Sequence, residues 1–385
     1  MTLAKGHLWF DQSPFLKPHC FMRFILRCVL LLTLLWMETV WAGNCASNSY
    51  TLASQAQVND LADTGCDTIR GNLSIDSGAN LTNVDGLAKL ISVEGHLLIQ
   101  NNIALTNVDD LANLAYVGGD LTIYANSALR SIAGLANLTK VGGDLDIDSN
   151  DALADLDGFA NLTSVGGYLA IESNAALTNL DGLVSLTSAG GFVRIYYNTA
   201  LTNLDGLGKL TSVGGYLNII ENPALTNLDG LANLTGVGGY LRIGLHNNLT
   251  NLDGLTGLAS VGSYLSIYSN AALTNLDGLA NLTSVGGNLA ISDNSSLTNL
   301  DGLANLTSVG GYLAIESNAA LINCQGVAPV LGWPDGPPDD NVVGVITIYD
   351  NKTGCDSIVE ALASGPVESP SYLGLPIWLL YQATQ

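Results

Sequence analysis

The chain repeats a motif of about 24 residues, and this period restricts its possible folds more than any other feature of the sequence. A Leu-x-Ile triplet occurs eleven times at a constant spacing, from Leu73 and Leu97 to Leu313, with Val193 in place of Leu once. A twelfth triplet, with Ile346 in its first position, begins nine positions later than this spacing predicts. A period of roughly 20 to 50 residues indicates stacked structural units, so the usual estimate of domain number from chain length does not apply.

The consensus of the repeat reads L-x-I-x-x-N-x-A-L-T-N-L-D-G-L-A-N-L-T-S-V-G-G-Y, in which short apolar stretches alternate with Asn, Asp and Gly. Such stretches predict short strands separated by turns, roughly three per repeat. Equal spacing stacks equivalent strands in parallel at about 4.8 Å, which gives a cylinder on the order of 55 Å long. The predicted fold is an all-β parallel β-helix, or solenoid, of about twelve coils. The Gly-Gly pair is predicted to form a tight corner with unusual backbone angles.

The interior of the predicted solenoid follows from position in the repeat. Ile occupies the third position of all twelve repeats, from Ile75 to Ile348, and Leu occupies the ninth position of eleven, from Leu81 to Leu321. Each buried side chain of this kind stabilises the fold by about 1.5 to 3 kcal/mol. Stacked columns of Ile and Leu can therefore replace the single core of a globular domain.

Short helices are predicted to cap both ends of the solenoid, whose terminal strand edges would otherwise be exposed. Before the first coil, Ser54 to Asp63 has a helical pattern, and Cys45 with Cys66 would hold this helix in place. After the last coil, Ser357 to Glu360 has the form of a capping box, which opens a helix that stops at Gly365-Pro366.

Four cysteines lie outside the first 42 residues, and an even number in an exported chain indicates disulfides. Cys324 and Cys355 fall at nearly equivalent positions of adjacent coils, within reach of each other. No cysteine pair has the C-x-x-C spacing, and only His96 and His246 accompany them, so neither a metal site nor a thiol-redox site is expected. No cofactor is predicted.

The first 42 residues read as a leader and not as part of the fold. Residues 22–42 combine a basic start, an apolar run and a small residue for cleavage, which predicts a secretory signal peptide. Residues 1–21 are interpreted as an over-extended start. The apolar run is too short for a membrane span. Without the leader the chain has 8 basic and 32 acidic residues, a net charge of −24, which disfavours nucleic acids and anionic membranes as partners.

The segment Ile69-Arg70-Gly71-Asn72-Leu73-Ser74-Ile75, the recurring N-x-x-L and the cysteine-held N-terminal cap resemble the receptor L-domain family. The likeness covers residues 45 to about 360, and the repeat is also similar to leucine-rich repeats in its physics. The resemblance implies a right-handed β-helix, as in the insulin and EGF receptor ectodomains and fungal cell-wall proteins, and a role in extracellular binding or wall organisation. A cysteine-rich module, a transmembrane helix and a kinase are missing, so hormone-receptor function does not carry over.

The predicted organisation assigns residues 43–72 to an N-terminal cap and residues 73–351 to the β-helix. An insertion loop occupies residues 332–340 of one coil. Residues 352–370 form a C-terminal cap, and residues 371–385 form an apolar tail that is too short to span a membrane. The tail is expected either to pack on the C-terminal cap or to be the remnant of a sorting signal.

Two columns of polar residues in the repeat resemble ligand-binding sites but have structural explanations. Asp occupies the thirteenth position of nine repeats, where Asp-Gly predicts a turn and the carboxylate is expected to cap nearby amides. The alternative is a calcium ladder, which a melting temperature unchanged by EDTA would exclude. Asn at the sixth position is expected to form a buried amide ladder that pairs with the backbone of the turn. Neither column is predicted to be a ligand site.

The repeats differ most from one another on the outer face of one sheet, at three outward positions per coil. Aromatic residues form a stripe there at coil spacing, with two arginines between them. The stripe either covers the sheet as a stacked ladder or forms a binding platform for carbohydrate or protein. The platform hypothesis makes the aromatic residues and arginines of these triplets the candidate ligand-binding residues. The triplets are Tyr168/Ala170/Glu172, Phe192/Arg194/Tyr196, Tyr216/Asn218/Ile220, Tyr240/Arg242/Gly244 and Tyr264/Ser266/Tyr268.

Three classes of function are compatible with such a chain. The first is a secreted or cell-surface binding or adhesion protein, without enzymatic activity, that contacts an extracellular protein or glycan through the aromatic triplets. The second is a structural scaffold of the cell envelope with no specific ligand. The third is a polysaccharide-active β-helix enzyme, which is disfavoured because Arg194 and Arg242 lie two coils apart, roughly 10 Å, and only the 332–340 loop is long enough to wall a cleft. No catalytic residue is predicted.

Overall fold

The computed structural model describes residue 45 and residues 48–332 and 341–363. The predicted leader, the apolar tail 371–385 and residues 333–340 of the insertion lie outside these described residues, as does the predicted end of the C-terminal helix. Within the described part of the chain, no helix is long and apolar enough to cross a membrane.

The described residues form a parallel β-helix with two long sheets, which confirms the predicted fold class. We number its coils 1 to 12 by the strands that begin at Leu73, Leu97 and so on to Ile346. The first sheet has thirteen strands: Tyr50–Leu52, Leu73–Asp76, Leu97–Gln100, Leu121–Tyr124, Leu145–Asp148, Leu169–Glu172, Val193–Tyr196, Leu217–Ile220, Leu241–Gly244, Leu265–Tyr268, Leu289–Ser292, Leu313–Glu316 and Ile346–Tyr349. The second sheet has eleven: Thr68–Ile69, Ser92–Val93, Tyr116–Val117, Lys140–Val141, Ser164–Val165, Ser188–Ala189, Ser212–Val213, Gly236–Val237, Ser260–Val261, Ser284–Val285 and Ser308–Val309.

In coils 1 to 11 the third side is a short 3₁₀ helix, so coils 1 to 10 have two strands each and not the predicted three. The Asp-Gly-Leu segment at repeat positions 13 to 15 forms this helix because its last residue can turn inward toward the core. The 3₁₀ helices are Leu87–Lys89, Asp109–Leu111, Ala133–Leu135, Asp157–Phe159, Asp181–Leu183, Asp205–Leu207, Asp229–Leu231, Asp253–Leu255, Asp277–Leu279, Asp301–Leu303 and Gln325–Val327.

Register between coils is constant from coil 1 to coil 11, because each strand residue pairs with its equivalent one repeat later, as Leu73 does with Leu97. Equivalent side chains therefore stack in columns, and the inward columns confirm the predicted core. Ile at the third position and Leu at the ninth are buried in every coil in which they occur, with Ile75, Ile195 and Leu201 fully inaccessible. The interior is a continuous rod of mainly aliphatic side chains, with Phe159 also fully buried, and no coil has a core of its own.

The sharp corner of each coil lies after the first-sheet strand and not at the Gly-Gly pair. The fifth repeat position has left-handed backbone in all twelve coils, with φ between 53° and 63° and no glycine among the twelve residues. Neither glycine of the pair has left-handed φ in any described coil. The pair is needed because a Cβ on Gly166, for example, would contact the carbonyl oxygen of Gly142 in the coil below. The prediction of unusual angles at Gly-Gly is therefore wrong, and close stacking is the reason for these glycines.

The predicted ladder of buried Asn side chains is confirmed. In a typical rung, Asn198 Nδ2 donates to the carbonyl oxygen of Ile171 at 2.9 Å, and its Oδ1 accepts from the backbone N–H of Asn174 at 3.1 Å. Asn198 has no accessible surface. Each side chain thus pairs with backbone groups that the left-handed corner leaves without a strand partner.

Both ends of the solenoid carry the helices that the sequence predicts. Helix α1 (Gln55–Asp63) begins after Ser54, whose hydroxyl accepts from the Gln57 N–H at 3.4 Å, and Cys45 is disulfide-bonded to Cys66. The strand Tyr50–Leu52, which was not predicted, pairs with coil 1 and covers the lower edge of the first sheet.

Helix α2 (Ile358–Ala363) lies against the last coil, and a disulfide joins Cys324 to Cys355 with their Cα atoms 5.5 Å apart. Ser357 Oγ accepts from the Glu360 N–H at 3.2 Å, as the capping box predicts. The Glu360 carboxylate accepts from the N–H groups of Asp356 and Gly354, both at 2.8 Å, so the box also ties down the turn that precedes the helix.

Candidate functional site

The predicted candidate residues share one surface, which we call the aromatic face. It is the outer surface of the first sheet on coils 5 to 9. Each coil contributes the residue that precedes the first-sheet strand and the second and fourth residues of that strand. Because strand side chains alternate between the two faces, these residues point outward while the Leu and Ile beside them point into the core.

One edge of the aromatic face is a ladder of five parallel rings. Tyr168, Phe192, Tyr216, Tyr240 and Tyr264 stack with centroids 4.4 to 4.5 Å apart and planes within 6° of one another. Each inner ring has a neighbour on both sides, so its flat surfaces are covered and only its edge faces solvent. The inner rings therefore behave as a stacked cover of the sheet and not as an open platform. Only the edges of these rings face solvent.

Arg194 holds the lower part of the face together. Its Nη1 lies 2.9 Å from Glu172 Oε1, its Nη2 donates to the Tyr216 hydroxyl at 3.2 Å, and its guanidinium lies 5.1 Å from the centroid of the Phe192 ring. Burial raises the pKa of Glu172, and the adjacent Arg194 acts in the opposite direction. The charge of Arg194 is thus paired with Glu172 inside the protein and is less available to a ligand.

Arg242 is arranged differently, because no carboxylate among the described residues forms an ion pair with it. Its guanidinium lies 5.1 Å from the centroid of the Tyr268 ring, and its Nη2 donates to the Tyr268 hydroxyl at 3.1 Å. The Tyr268 ring in turn lies against Gly244, where any Cβ would contact it. Arg242 is therefore a cation held in a defined direction with most of its N–H donors available.

Tyr196, Tyr197 and Glu221 form the other edge of the face. The rings of Tyr196 and Tyr197 are 5.4 Å apart at 53°. Burial, followed by the neighbouring Glu221 carboxylate, raises the pKa of Tyr196. Tyr197 is half exposed, at 50 %, because it occupies the left-handed corner and points away from the sheet. Its ring is not part of the stacked ladder.

Coil 7, the middle coil of the face, carries two buried acceptor atoms that no donor satisfies. Asn218 lies between Arg194 and Arg242 in the strand register and is only 9 % exposed. Its Nδ2 is 3.5 Å from the Tyr240 hydroxyl, whereas its Oδ1 has no partner. Glu221 Oε2 is likewise buried without a partner. Both residues belong to coil 7.

The nine candidate residues thus fall into two groups. The ladder residues are brought together but cover one another. Tyr196 on coil 6 and the Arg242–Tyr268 pair on coils 8 and 9 lie on either side of coil 7, with Arg194 at its lower side. The sequence placed Asn218 and Gly244 on the face without a role and did not identify Tyr197 or Glu221. The signal that could have found the latter two is their position directly after the strand, where most coils carry Ser or another small polar residue.

The lower end of the ladder borders an acidic surface. Asp120, Asp144, Asp146 and Asp148 lie on the outer side of coils 3 and 4, just below Tyr168. Burial, followed by repulsion from Asp148, raises the pKa of Asp146. Asp144 Oδ1 accepts from the Tyr168 N–H at 2.9 Å, so this carboxylate fixes the backbone at the first ring of the ladder.

The Asp column at repeat position 13 does not cap amides as predicted. The N–H of Asp181 donates to the side chain of Asn179 at 3.0 Å, and the same Asn-to-Asp pairing recurs along the column. Of the nine carboxylates, only that of Asp301 accepts a hydrogen bond, from Asn323. The Asn side chain two residues before each of these Asp residues lies closer to the Asp backbone N–H, and it caps that N–H in place of the carboxylate. Over the described ranges, no group of three or more His, Cys, Asp or Glu residues is placed to hold a metal ion.

His246 replaces Asn in the buried ladder at coil 8, one residue beyond the left-handed corner that follows the strand of Arg242. Its Nε2 lies 3.0 Å from the Ile219 carbonyl oxygen, and its Nδ1 accepts from the Asn222 N–H at 3.3 Å. With its proton on Nε2, the neutral ring performs both roles of an Asn rung. Burial lowers the pKa of His246 to about 4.

This shift predicts a pH-dependent stability that a single substitution removes. The folded pKa lies below the unfolded value of about 6.5, so the unfolded chain binds the proton first, and the stabilisation is lost as pH falls from about 6.5 to 4. Between pH 7.5 and pH 5 the wild type should lose about 2 kcal/mol more than His246→Asn, which keeps the ladder without a titrating group. Urea unfolding of both proteins at the two pH values measures the difference, and equal losses would contradict the prediction.

A second feature of the first sheet lies beyond the aromatic face, on coils 10 to 12. A shallow depression of about 500 Å³ forms there because small side chains replace the rings. It is lined by Ala290, Ser292, Tyr312, Ala314, Glu316, Gly344, Val345 and Thr347. Both oxygens of Glu316 are already paired, with Thr347 Oγ1 at 2.8 Å and the Tyr349 hydroxyl at 3.0 Å. The depression therefore offers few free polar groups.

A family model described as Receptor L domain matches residues 65–139, which include coils 1 and 2 and most of coil 3. The match confirms the resemblance over that segment, and the later coils repeat its strands in the same register. No curated protein matches the chain. A Receptor L domain points to a receptor-like, typically non-catalytic binding domain, and with the two disulfides it indicates an extracellular location.

Proposed function

We propose that this chain is a secreted or cell-surface binding protein, without enzymatic activity, that contacts an extracellular partner through the aromatic face. The observation that carries the proposal is the cluster of Tyr196, Tyr197, Arg242 and Tyr268 around coil 7. Aromatic residues and Arg are the side chains that most often dominate binding energy in protein contacts. The inward Ile and Leu columns repeat along the solenoid, as expected for a scaffold that holds this cluster rigidly.

The stacked ladder supports the cluster and contributes less to contact. Its rings are fixed by one another and by Arg194, so little side-chain entropy remains to be lost on binding along this edge. Arg242 is pre-oriented by Tyr268 in the same way. A rigid surface on which Arg242 has no carboxylate partner is suited to recognition. A ladder that merely covers the sheet would need neither Arg242 nor Tyr197.

Removal of the cluster tests the proposal. We expect the triple variant Tyr196→Ala, Arg242→Ala, Tyr268→Ala to bind intact cells or extracellular matrix of the source organism at least tenfold more weakly than the mature wild-type chain, measured by titration of a fluorescently labelled protein. The matched control is Tyr116→Ala with Lys140→Ala, an aromatic and a cation that are register neighbours on the second sheet. Equal binding by the triple variant and the wild type would reject the aromatic face as the contact surface.

A further inference from the structure

Among the described residues, only two buried side-chain oxygen or nitrogen atoms lack a hydrogen-bond partner, and both belong to the aromatic face. They are Asn218 Oδ1 and Glu221 Oε2, three residues apart on coil 7. An unpaired buried acceptor is unfavourable, and native proteins rarely retain one without a reason. Two such atoms on coil 7, the middle coil of the candidate surface, indicate a place where donors arrive from outside the chain.

The orientation of the Asn218 amide does not remove this requirement. Its Nδ2 is near the Tyr240 hydroxyl, and reversing the amide would place Oδ1 there and leave Nδ2 unpaired instead. One end of the amide needs an external partner in either orientation. Because Asn218 is nine-tenths buried, that partner has to enter the surface between the side chains around it.

The rim of the same place supplies donors. Arg194 and Arg242 occupy the register positions on either side of Asn218, and their guanidinium groups turn in opposite directions, toward Glu172 and toward Tyr268. Arg242 has no carboxylate partner in the described structure, so several of its five N–H groups remain for a ligand. Tyr197 adds an exposed ring beside Glu221.

We propose that coil 7 forms a subsite for one sugar residue of a neutral glycan, with Asn218 and Glu221 as acceptors and Arg242 as donor. The hydroxyls around a sugar ring both donate and accept hydrogen bonds, which suits two acceptors on coil 7 beside a donor on coil 8. Tyr196 pairs in register with Ile220, the residue before Glu221, and therefore lies at the edge of this subsite. This inference rests on the proposed function, since the subsite lies within the aromatic face.

Charge distinguishes the neutral sugar from the other ligand classes. A ligand with carboxylates or sulfates would meet Glu221 and a chain whose net charge is −22. A Lys or Arg side chain of a protein partner would satisfy both acceptors but would bring its charge close to Arg242 and Arg194. A neutral polyol has neither disadvantage.

Binding measurements with matched variants test the subsite. The probes are neutral oligosaccharides (glucan, mannan and N-acetylglucosamine oligomers), with oligogalacturonate and oligolysine as the charged arms, each titrated calorimetrically into the mature chain. We expect Glu221→Gln and Asn218→Leu each to weaken binding of the best neutral probe about tenfold. The controls are Asp293→Asn, at the position of Glu221 on coil 10, and Thr122→Val, at the position of Asn218 on coil 3. These two should change binding less than twofold, and unchanged thermal melting verifies the fold of all four variants.

Each outcome decides between the subsite and the wider proposal. Binding of a neutral probe that both coil 7 variants leave unchanged would overturn the subsite. Binding of oligolysine or oligogalacturonate alone, or of no probe, would overturn the neutral-glycan class. If the triple variant of Tyr196, Arg242 and Tyr268 still loses cell or matrix binding in those cases, the contact surface stands with a different ligand. If that binding is also unaffected, both proposals fail.

Discussion

Replacing Asn198 with Ala is expected to lower the free energy of unfolding by about 3 to 5 kcal/mol, the cost of leaving two or more buried polar groups unpaired and a small cavity. Asn198 is the acceptor for the Asn174 N–H at 3.1 Å and a donor to the carbonyl oxygens of Ile171 and Tyr196 at 2.9 and 3.1 Å. Its own N–H donates to Asn222 Oδ1 at 3.0 Å. The substitution interrupts the ladder between coils 5 and 7, where no water reaches the abandoned groups.

The repeat supplies a control of the same residue type. Asn233 also donates to a carbonyl of the coil below, Gly208 at 2.7 Å, but it is exposed. Asn233→Ala should therefore cost less than about 1 kcal/mol, because water replaces the lost bond. Urea unfolding followed by circular dichroism measures both variants, and hydrogen exchange at the Asn174 amide locates the effect. Similar costs for the two substitutions would show that the buried ladder is not a main source of stability.

Gly206→Ala is expected to be nearly as damaging, at about 3 kcal/mol or more, because the new methyl has no space. A Cβ on Gly206 would overlap the backbone carbonyl of Leu180 in the coil below. The obstacle is a stacked backbone and not a flexible side chain, so relief requires coils 5 and 6 to move apart and weaken their hydrogen bonds. Thermal or urea unfolding measures the loss.

Gly208, two residues later, is the matched control. Its backbone has φ −60° in the right-handed helical region, and the nearest atom to a Cβ would be the Asp205 carbonyl oxygen at 3.2 Å. Ala occupies this position in most other repeats. Gly208→Ala should therefore stabilise the chain by about 0.5 to 1 kcal/mol through the lower entropy of the unfolded chain. A loss at Gly208 as large as that at Gly206 would refute the stacking explanation.

Most of the fold follows from the sequence because its contacts connect equivalent positions of successive repeats. The Ile and Leu columns, the Asn ladder, both caps and both disulfides are predictable in this way. The number of strands per coil was not, because the Asp-Gly-Leu segment satisfies its turn with a 3₁₀ helix where an apolar alternation suggested a strand. The Gly-Gly prediction was wrong for a related reason. A single sequence does not distinguish a glycine needed for a left-handed φ from a glycine needed because a Cβ has no space.

The candidate site was predictable as a surface but not as a set of contacts. Divergence among the repeats identified Tyr196, Arg242 and Tyr268. It did not reveal that the ring ladder covers its own flat surfaces, or that Tyr268 lies over Gly244 and thereby directs Arg242. It also left out Glu221, because an acidic residue at a corner position is ordinary in a chain this acidic.

The periodic part of this protein, namely the coil length, the inward columns and the stacking register, can be derived from the amino-acid pattern that each repeat carries. Which outward side chains pair with one another, and which stay available to a ligand, is visible only in the folded structure. That distinction depends on side-chain directions across neighbouring coils, between residues such as Arg242 and Tyr268 that are 26 positions apart. No single repeat encodes those directions, because they result from the non-repeating residues that the stack happens to bring together.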